Sequence, residues 1–422
     1  MNSKERVRAS IEHRTPDRVP IDFGSTAVTG MHVSVVAALR EQYGLPRHPV
    51  KVIEPYQMLG EIEPDLLDRA GIDTVPLPGS KNLFGFRNEH WKEFRTPWGQ
   101  VVLVPGQFNT RPAPQGGIWL YPSGDMTVPP SGRMPASGYF FDTIIRQEPI
   151  DEDHLNPEDN LEEFKPLSAD DAAWYREQAA LLKGSSRAVV GGPGGTAFGD
   201  IALVPAPFLK HPKGIRDIEE WYVSIAARKS YVRAVFEQQC AMALRNLAAF
   251  HDIVGETLDV LFVCGTDFGT QQSSFCSVRT FEEMYLPWYR QVNDWVHRHT
   301  HWKTFKHSCG AVEPFIGRFI DCGFDILNPV QCSAAGMDPV KLNDKYGDRI
   351  TFWGGGADTQ QTLPFGTPAQ VRDEVLRRCE IFARKGGFVF NVIHNVQART
   401  PIANLAAALD AVQEFQGSAA RR

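Results

Sequence analysis

Short apolar runs alternate along the second half of the chain with longer stretches whose apolar residues recur every three or four positions. The run TLDVLFVCG (257–265) has the continuous apolar character of a buried strand, and 281–299 follows with Met284, Trp288 and Val292 at helical spacing. Four further strand candidates continue the rhythm, at 303–310, 324–331, 388–397 and in 349–360, which gives a strand followed by a loop. Strands that alternate with helices pair in parallel through right-handed crossovers, so this half predicts five strands of a parallel sheet.

The clearest helix boundaries frame residues 368–385, between the last two strand candidates. Thr367 is a suitable N-cap, Pro368 occupies the first helical position, and Gly386 follows the end. These signals predict a helix that connects the two strands across one face of the sheet.

The first half of the chain supplies three more strand candidates, at 18–24, 71–77 and 187–195, which makes eight in total. Eight strand–helix units predict a (β/α)8 TIM barrel, with 1–422 as a single domain. Between the second and third of these strands, a stretch from about 100 to 165 is rich in proline, glycine and aromatic residues. A structureless loop of that length is unusual in a compact domain, so we predict an insertion with short strands. It could cover the substrate or form a homodimer interface.

Charge and composition narrow the classes of partner. The 422 residues carry 44 basic and 50 acidic side chains, a net charge of −6, with no basic run, which argues against nucleic acid and anionic membranes. No run of about 18 apolar residues is present, and the charged N-terminus does not resemble a signal peptide. Seven cysteines without CxxC spacing fit reduced thiols. We therefore expect a cytoplasmic enzyme that acts on a small molecule.

A candidate metal site begins in the segment KHSCG. His307 and Cys309 stand two residues apart at the end of a strand, so their side chains share one face. Taken alone, this pair fits core packing as well as metal binding. Cys379 lies on the apolar stripe of a helix and should belong to the core, whereas His394 ends the last strand, where the barrel mouth should be. His307, Cys309 and His394 are therefore the predicted zinc ligands.

Polar side chains follow several other strands, at the positions that form the catalytic mouth of such barrels. Asp22, Asp267 and Asp358 each follow an apolar run. They could act as general acids or bases, support metal-bound histidines, or simply anchor loops. We predict that Asp22 binds the substrate, together with neutral donors and acceptors nearby at Asn328, Gln331, Gln360 and Asn395.

Several of these segments together resemble the uroporphyrinogen decarboxylase superfamily, and more closely its corrinoid-dependent methyltransferase branch. The matching segments are HSCG, DILNPVQ, FWGGGADTQ, FVFNVIHNVQARTP and the opening ERVRASIEHRTPDRVPIDFG. The resemblance covers most of the chain and is strongest from about 255 to 415. It implies a (β/α)8 barrel and zinc held by a His-x-Cys pair with a third ligand late in the chain. That third ligand is usually cysteine in the family, and His394 occupies its place here.

The resemblance implies a zinc-dependent methyltransferase, in which Asp267 occupies one position of the family's common Asp-Asp pair. We predict catalytic roles for Asp267 and, from its place after a strand, for Asp358. We expect the enzyme to demethylate a small methoxylated or methylated compound and to pass the methyl group to a corrinoid (cobalamin). No corrinoid-binding segment of the form Asp-x-His-x-x-Gly is evident, so a partner protein would carry that cofactor. The alternatives are methyl transfer to a folate, without corrinoid, and a uroporphyrinogen decarboxylase-like reaction. The decarboxylase grips carboxylates with N-terminal arginines, and this chain has none between Arg18 and Arg40.

Overall fold

Strands and helices alternate along residues 1–415, the part of the chain that the computed structural model describes. The strands are Val52–Glu54 (β1), Leu59–Gly60 (β2), Thr74–Leu77 (β3), Lys92–Arg95 (β4), Val101–Val104 (β5), Thr110–Pro112 (β6), Ile118–Leu120 (β7), Gly132–Met134 (β8), Asp142–Thr143 (β9), Ala188–Gly191 (β10), Val260–Cys264 (β11), Lys303–His307 (β12), Ile326–Asn328 (β13), Thr351–Trp353 (β14) and Phe388–Val389 (β15). The α-helices are Ser3–Ile11 (α1), Val33–Gln42 (α2), Pro64–Ala70 (α3), Ala169–Leu182 (α4), Ile218–Ala227 (α5), Lys229–Val254 (α6), Val278–Met284 (α7), Leu286–His299 (α8), Glu313–Asp321 (α9), Pro339–Tyr346 (α10), Thr362–Phe365 (α11), Pro368–Phe382 (α12) and Ile402–Glu414 (α13).

Seven of the strands form one parallel sheet, in the order β15-β14-β13-β12-β11-β10-β3. Ile21 joins the two edges of this sheet. It makes a parallel bridge with Phe390, beyond β15, and its carbonyl accepts a hydrogen bond from the backbone N–H of Asp73, just before β3, at 2.7 Å. The first strand candidate is thus reduced to a bridging segment that closes the ring, and the predicted TIM-barrel class is confirmed.

The barrel interior is filled by one apolar side chain from each of the strands β10 to β15, namely Val190, Val260, Phe305, Ile326, Trp353 and Val389, together with Ala188 of β10. Val7 and Ile11 of α1 complete this cluster. A larger apolar cluster lies between the sheet and the surrounding helices. Because side chains alternate along a strand, Phe305 and His307 of β12 face the interior while Thr304 and Lys306 face the helices.

Between β3 and β10 the chain forms two antiparallel sheets separate from the barrel, β4–β5 and the four-stranded β6-β7-β8-β9. Phe141 packs edge-on against Phe84 and Phe108, with ring centroids 6.0 and 5.8 Å apart. All three rings are buried. The stretch from 100 to 165 therefore contains short strands, and its role as a lid or a homodimer interface stays a prediction.

One local prediction differs from the structure. The helix predicted over 281–299 is broken at Tyr285 into α7 and α8, because Pro287 in the first turn of α8 has no N–H to continue a helix from α7. The segment 349–360 forms a strand over Thr351–Trp353, and its glycines turn the chain into a loop immediately afterwards, as predicted. Within residues 1–415, none of the helices combines the length and the apolar character needed to cross a membrane.

Candidate metal centre

The carboxyl ends of parallel strands meet on one rim of a barrel, and the three predicted zinc ligands meet there. His307 is the last residue of β12, Cys309 follows two residues later, and His394 lies five residues beyond β15. One ligand atom from each side chain lies within 4.8 Å of the corresponding atoms of the other two. The structure thus brings together residues that span 87 positions of the sequence, from His307 to His394, and His307 is nearly fully buried.

Asn328, at the end of the neighbouring strand β13, fixes the orientation of the His307 ring. Its amide nitrogen donates to the carbonyl of Trp353 at 2.8 Å, so its amide oxygen must face His307 Nδ1, at 2.7 Å. An amide oxygen can only accept, and Nδ1 therefore carries the proton. The lone pair of Nε2 then points towards Cys309 Sγ, 3.4 Å away. This is the arrangement that prepares a histidine to bind a metal through Nε2.

His394 is held by its own backbone. Its φ of 64° lies in the left-handed region, which is uncommon for a residue other than glycine and is often found at functional sites. The N–H of Asn395 donates to His394 Nδ1 at 2.8 Å, and the His394 and His307 rings lie at 73° with centroids 5.1 Å apart. Binding a metal through Nδ1 would break this hydrogen bond, and binding through Nε2 would move the ring proton. His394 is therefore the side chain of the three that has to adjust.

Burial keeps the side chains of His307, His394 and Cys309 uncharged while no cation is bound. It lowers the pKa of His307 to about 4, and burial together with the neighbouring His307 lowers the pKa of His394 to about 3. Both imidazoles are thus neutral near pH 7 and free to donate lone pairs. Burial and the nearby Asp267 raise the pKa of the Cys309 thiol well above its ordinary value. A bound cation would displace that thiol proton.

Asp267, which follows β11, lies against the same cluster. Its Oδ1 accepts a hydrogen bond from the backbone N–H of Cys309 at 2.6 Å and is 3.9 Å from His307 Nε2. Burial raises the pKa of this carboxyl group above its usual range, although a quarter of the side chain remains accessible. Among the carboxylates predicted from the sequence, Asp267 is the one that contacts candidate ligands, namely Cys309 and His307.

Gln331 and Asn395 support the loops that carry two of the ligands. Gln331 Oε1 accepts from the N–H of Gly310, next to Cys309, at 2.8 Å. Asn395 Oδ1 accepts from the N–H of Gly30, and its amide nitrogen donates to the carbonyl of Ala27 at 2.9 Å. Both side chains are buried. In this structure they orient backbone at the rim, and their predicted contact with a substrate stays a prediction.

Asp22 and Asp358 are engaged elsewhere in the fold. Asp22 is fully buried and accepts hydrogen bonds from Thr74 Oγ1 at 2.6 Å and from Trp353 Nε1 at 2.8 Å, which links three strands of the ring. Asp358 Oδ1 accepts from the N–H groups of Gln360 and Gln361 at 2.7 and 2.9 Å, while the Gln360 side chain is exposed. These contacts fit the anchoring interpretation of both carboxylates.

Two buried charged residues near the cluster were not predicted from the sequence. Asp200 packs against Gly265 at the end of β11 and accepts from the N–H of Ala202 at 3.0 Å. Its burial raises the pKa of the carboxyl to about 6. Lys306 lies directly before His307 and is fully buried. The signal for Lys306 is visible in KTFKH, where a lysine occupies a helix-facing position of a buried strand.

Comparison with known proteins adds the family context of this site. Residues 236–415, which contain all three candidate ligands, match the family model described as uroporphyrinogen decarboxylase (URO-D). No curated protein matches the sequence. Among solved structures, a methyltransferase from Methanosarcina mazei is similar with a TM-score of 0.54 and 16% sequence identity, over 98% of this chain and 99% of that chain. The predicted resemblance to the uroporphyrinogen decarboxylase superfamily is therefore confirmed over residues 236–415, and the barrel fold is shared with a methyltransferase.

Proposed function

We propose that this chain is a zinc-dependent methyltransferase that removes a methyl group from a small methoxylated or methylated compound and passes it to a corrinoid held by a separate partner protein. The observation that carries the proposal is the convergence of His307, Cys309 and His394 within 4.8 Å. The URO-D domain and the methyltransferase with the same fold support it.

The donor set fits zinc in both chemistry and spacing. With Zn–N bonds of about 2.0–2.1 Å and Zn–S bonds of about 2.3 Å, tetrahedral ligand atoms lie roughly 3.3–3.8 Å apart. The separation of 3.4 Å between Cys309 Sγ and His307 Nε2 falls within that range. Three protein ligands leave one position of a tetrahedral ion for a substrate, as in catalytic zinc sites.

A zinc ion held by these three residues would supply Lewis acidity towards the oxygen, nitrogen or sulfur atom that carries the methyl group. The protein's own groups then have two tasks. Asn328 keeps His307 Nε2 aimed at the centre, and the backbone contact between Asp267 and Cys309 fixes the loop that carries the thiol. Asp267 is also the carboxyl group beside the cluster, so it is the candidate to give a proton to the substrate heteroatom when the methyl group leaves.

The proposal includes a partner protein, because the sequence has no evident corrinoid-binding segment. Methyl transfer to a folate would need no such partner and gives the alternative acceptor. A uroporphyrinogen decarboxylase-like reaction is the alternative from another enzyme class, and it would need neither His307 nor Cys309.

The test is the metal content of the purified chain and of matched variants. We expect about one zinc per chain, lost in Cys309→Ala and His394→Ala. Cys379→Ala is the matched control, because Cys379 is a buried thiol on α12 outside the cluster. Loss of methyl groups from a panel of methoxylated compounds is then followed in the presence of reduced cobalamin. A folded, metal-free protein that decarboxylates a porphyrinogen would overturn the proposal.

A further inference from the structure

Lys306 is a fully buried lysine that the proposed chemistry leaves unused. It faces the helix layer from β12, on the opposite side of the strand from His307. Its Nζ lies 5.0 Å from the ring centroid of Phe268, 5.4 Å from that of Phe319 and 5.9 Å from that of Tyr289. The ammonium group is therefore enclosed by three aromatic rings, which attract a cation through their faces.

No carboxylate of residues 1–415 lies within 4 Å of this ammonium group, although most lysines buried in proteins are paired with one. Burying a charge without such a partner is unfavourable, and a methionine would fill the same space without that penalty. The position therefore calls for an explanation beyond packing.

The explanation lies in the two oxygen atoms that the ammonium group contacts. Lys306 Nζ donates to the backbone carbonyls of Thr266 and His307. The ladder between β11 and β12 ends at the pair Cys264 and Lys306, so both carbonyls lie beyond the last strand–strand pairing. Lys306 thus ties the ends of the two strands together where backbone pairing has stopped.

Each of these carbonyls adjoins a residue of the metal centre. Thr266 precedes Asp267, and His307 is itself a candidate ligand. The separation of the two strand ends sets where Asp267 lies relative to the ligand loop, with Oδ1 2.6 Å from the Cys309 nitrogen and 3.9 Å from His307 Nε2. A looser connection would move Asp267 and His307 independently.

We infer that Lys306 is a positioning residue of the metal centre, which sets the geometry of Asp267, His307 and Cys309 by tying the ends of β11 and β12. The inference rests on the metal site of the proposed function. It assigns no proton transfer to Lys306, whose role is to donate hydrogen bonds from the far side of the strand.

The experiment compares Lys306→Met with the wild type by titration with Co²⁺, a coloured substitute for zinc, after removal of metal. Methionine keeps the length and apolar stem of lysine but donates to neither carbonyl. We expect Co²⁺ to bind roughly tenfold more weakly or worse, as for the loss of other groups that orient metal ligands, and the absorption bands of the bound ion to shift. Lys303→Met is the matched control, because Lys303 lies on the same strand and contacts only the partly exposed Asp325.

A second comparison separates positioning from plain stabilisation of the fold. If Lys306 acts by placing Asp267, the losses of Co²⁺ affinity in Lys306→Met and Asp267→Asn should not add in the double variant. Should Lys306→Met fail to fold, Lys306→Arg replaces it, since a planar guanidinium cannot keep the same spacing between the two carbonyls.

The outcomes distinguish this inference from the function on which it rests. Wild-type protein that binds no metal would remove the proposed metal site itself. Wild type and folded Lys306→Met with equal Co²⁺ affinity and equal spectra would overturn the positioning role alone. A lower unfolding temperature with unchanged Co²⁺ binding would also overturn it, because it would assign Lys306 to general stability.

Discussion

Replacing Asn328 by alanine tests how the barrel prepares His307 for a metal. In the wild type the Asn328 amide accepts from His307 Nδ1 at 2.7 Å and donates to the Trp353 carbonyl at 2.8 Å. Alanine removes both contacts from a fully buried position, so the Nδ1 proton loses its acceptor and the ring loses its fixed orientation. The Nε2 lone pair is then no longer held towards Cys309 Sγ.

The size of the effect follows from the loss of a group that orients a metal ligand. Such a loss typically weakens metal binding about 10–100-fold, which corresponds to about 1.4–2.7 kcal/mol. We therefore expect Asn328→Ala to bind zinc about 10–100-fold more weakly. The buried Nδ1 donor left without a partner should separately lower the stability of the fold by about 1–3 kcal/mol. In Asn328→Asp, a carboxylate oxygen can still accept from His307, and a smaller loss of zinc affinity is expected.

The assay is competition for zinc between the protein and a coloured chelator. Asn391→Ala is the control, because Asn391 is equally buried but donates to the carbonyls of Asp22 and Thr29, away from the ligand cluster. Equal zinc affinity in Asn328→Ala and wild type would refute the reasoning, since it would show that His307 needs no orientation from its neighbour. A loss as large in Asn391→Ala would attribute the effect to general loosening of the barrel.

Two further predictions concern the fold. Burial lowers the pKa of His32 from 6.5 to about 4, so the folded state resists protonation of this side chain and its stability should fall as the pH drops from about 6.5 to 4. Chemical unfolding of His32→Asn across this range should therefore show a weaker pH dependence of stability than the wild type. An unchanged pH dependence would contradict the lowered pKa of His32. Asp73 is fully buried and accepts from Arg6, Arg18 and the N–H of Ile21, so Asp73→Ala should lower the free energy of unfolding by about 3–5 kcal/mol. Asp294→Ala, which breaks an exposed pair, should change it by about 0.5 kcal/mol or less, and equal effects would contradict the role of Asp73 in holding the closing segment.

The barrel could be predicted from the sequence because its strands are buried on both faces. Such strands appear as continuous apolar runs, and the run at 257–265 is an example. The segments between these strands have the periodicity of amphipathic helices, and strands connected by helices pair in parallel. The break between α7 and α8 could not be found in the same way, since Met284, Trp288 and Val292 keep helical spacing across it. Periodicity is insensitive to a kink that preserves the direction of the apolar face.

The convergence of the three candidate ligands could be predicted for a related reason. In a parallel barrel all strand ends reach one rim, so residues far apart in the sequence, such as His307 and His394, can be placed together without knowing any contact. The roles of Asp22 and Asp358 were not accessible in this way. Asp22 accepts a hydrogen bond from Trp353 Nε1, on the far side of the ring and 331 residues away in the sequence. Nothing in the sequence distinguishes Trp353 from an ordinary core residue. Whether a carboxylate at a strand end anchors a loop or takes part in a reaction depends on such distant hydrogen-bond donors.

The identity of the third candidate ligand, His394, bears on the proposed direction of transfer, in which the substrate loses its methyl group. Two neutral imidazoles and one thiolate bring one negative charge to a metal, whereas the histidine and two cysteines usual in the resembling methyltransferases bring two. The lower donor charge leaves a bound zinc ion a stronger Lewis acid. Such an ion favours the departure of a poor leaving group, such as the oxygen of a methyl ether, more than it favours the reactivity of a thiolate acceptor, which needs high electron density on sulfur. A metal bound by His394, where the resembling methyltransferases have cysteine, would therefore favour the proposed demethylation of an oxygen-linked methyl group over transfer to a thiolate.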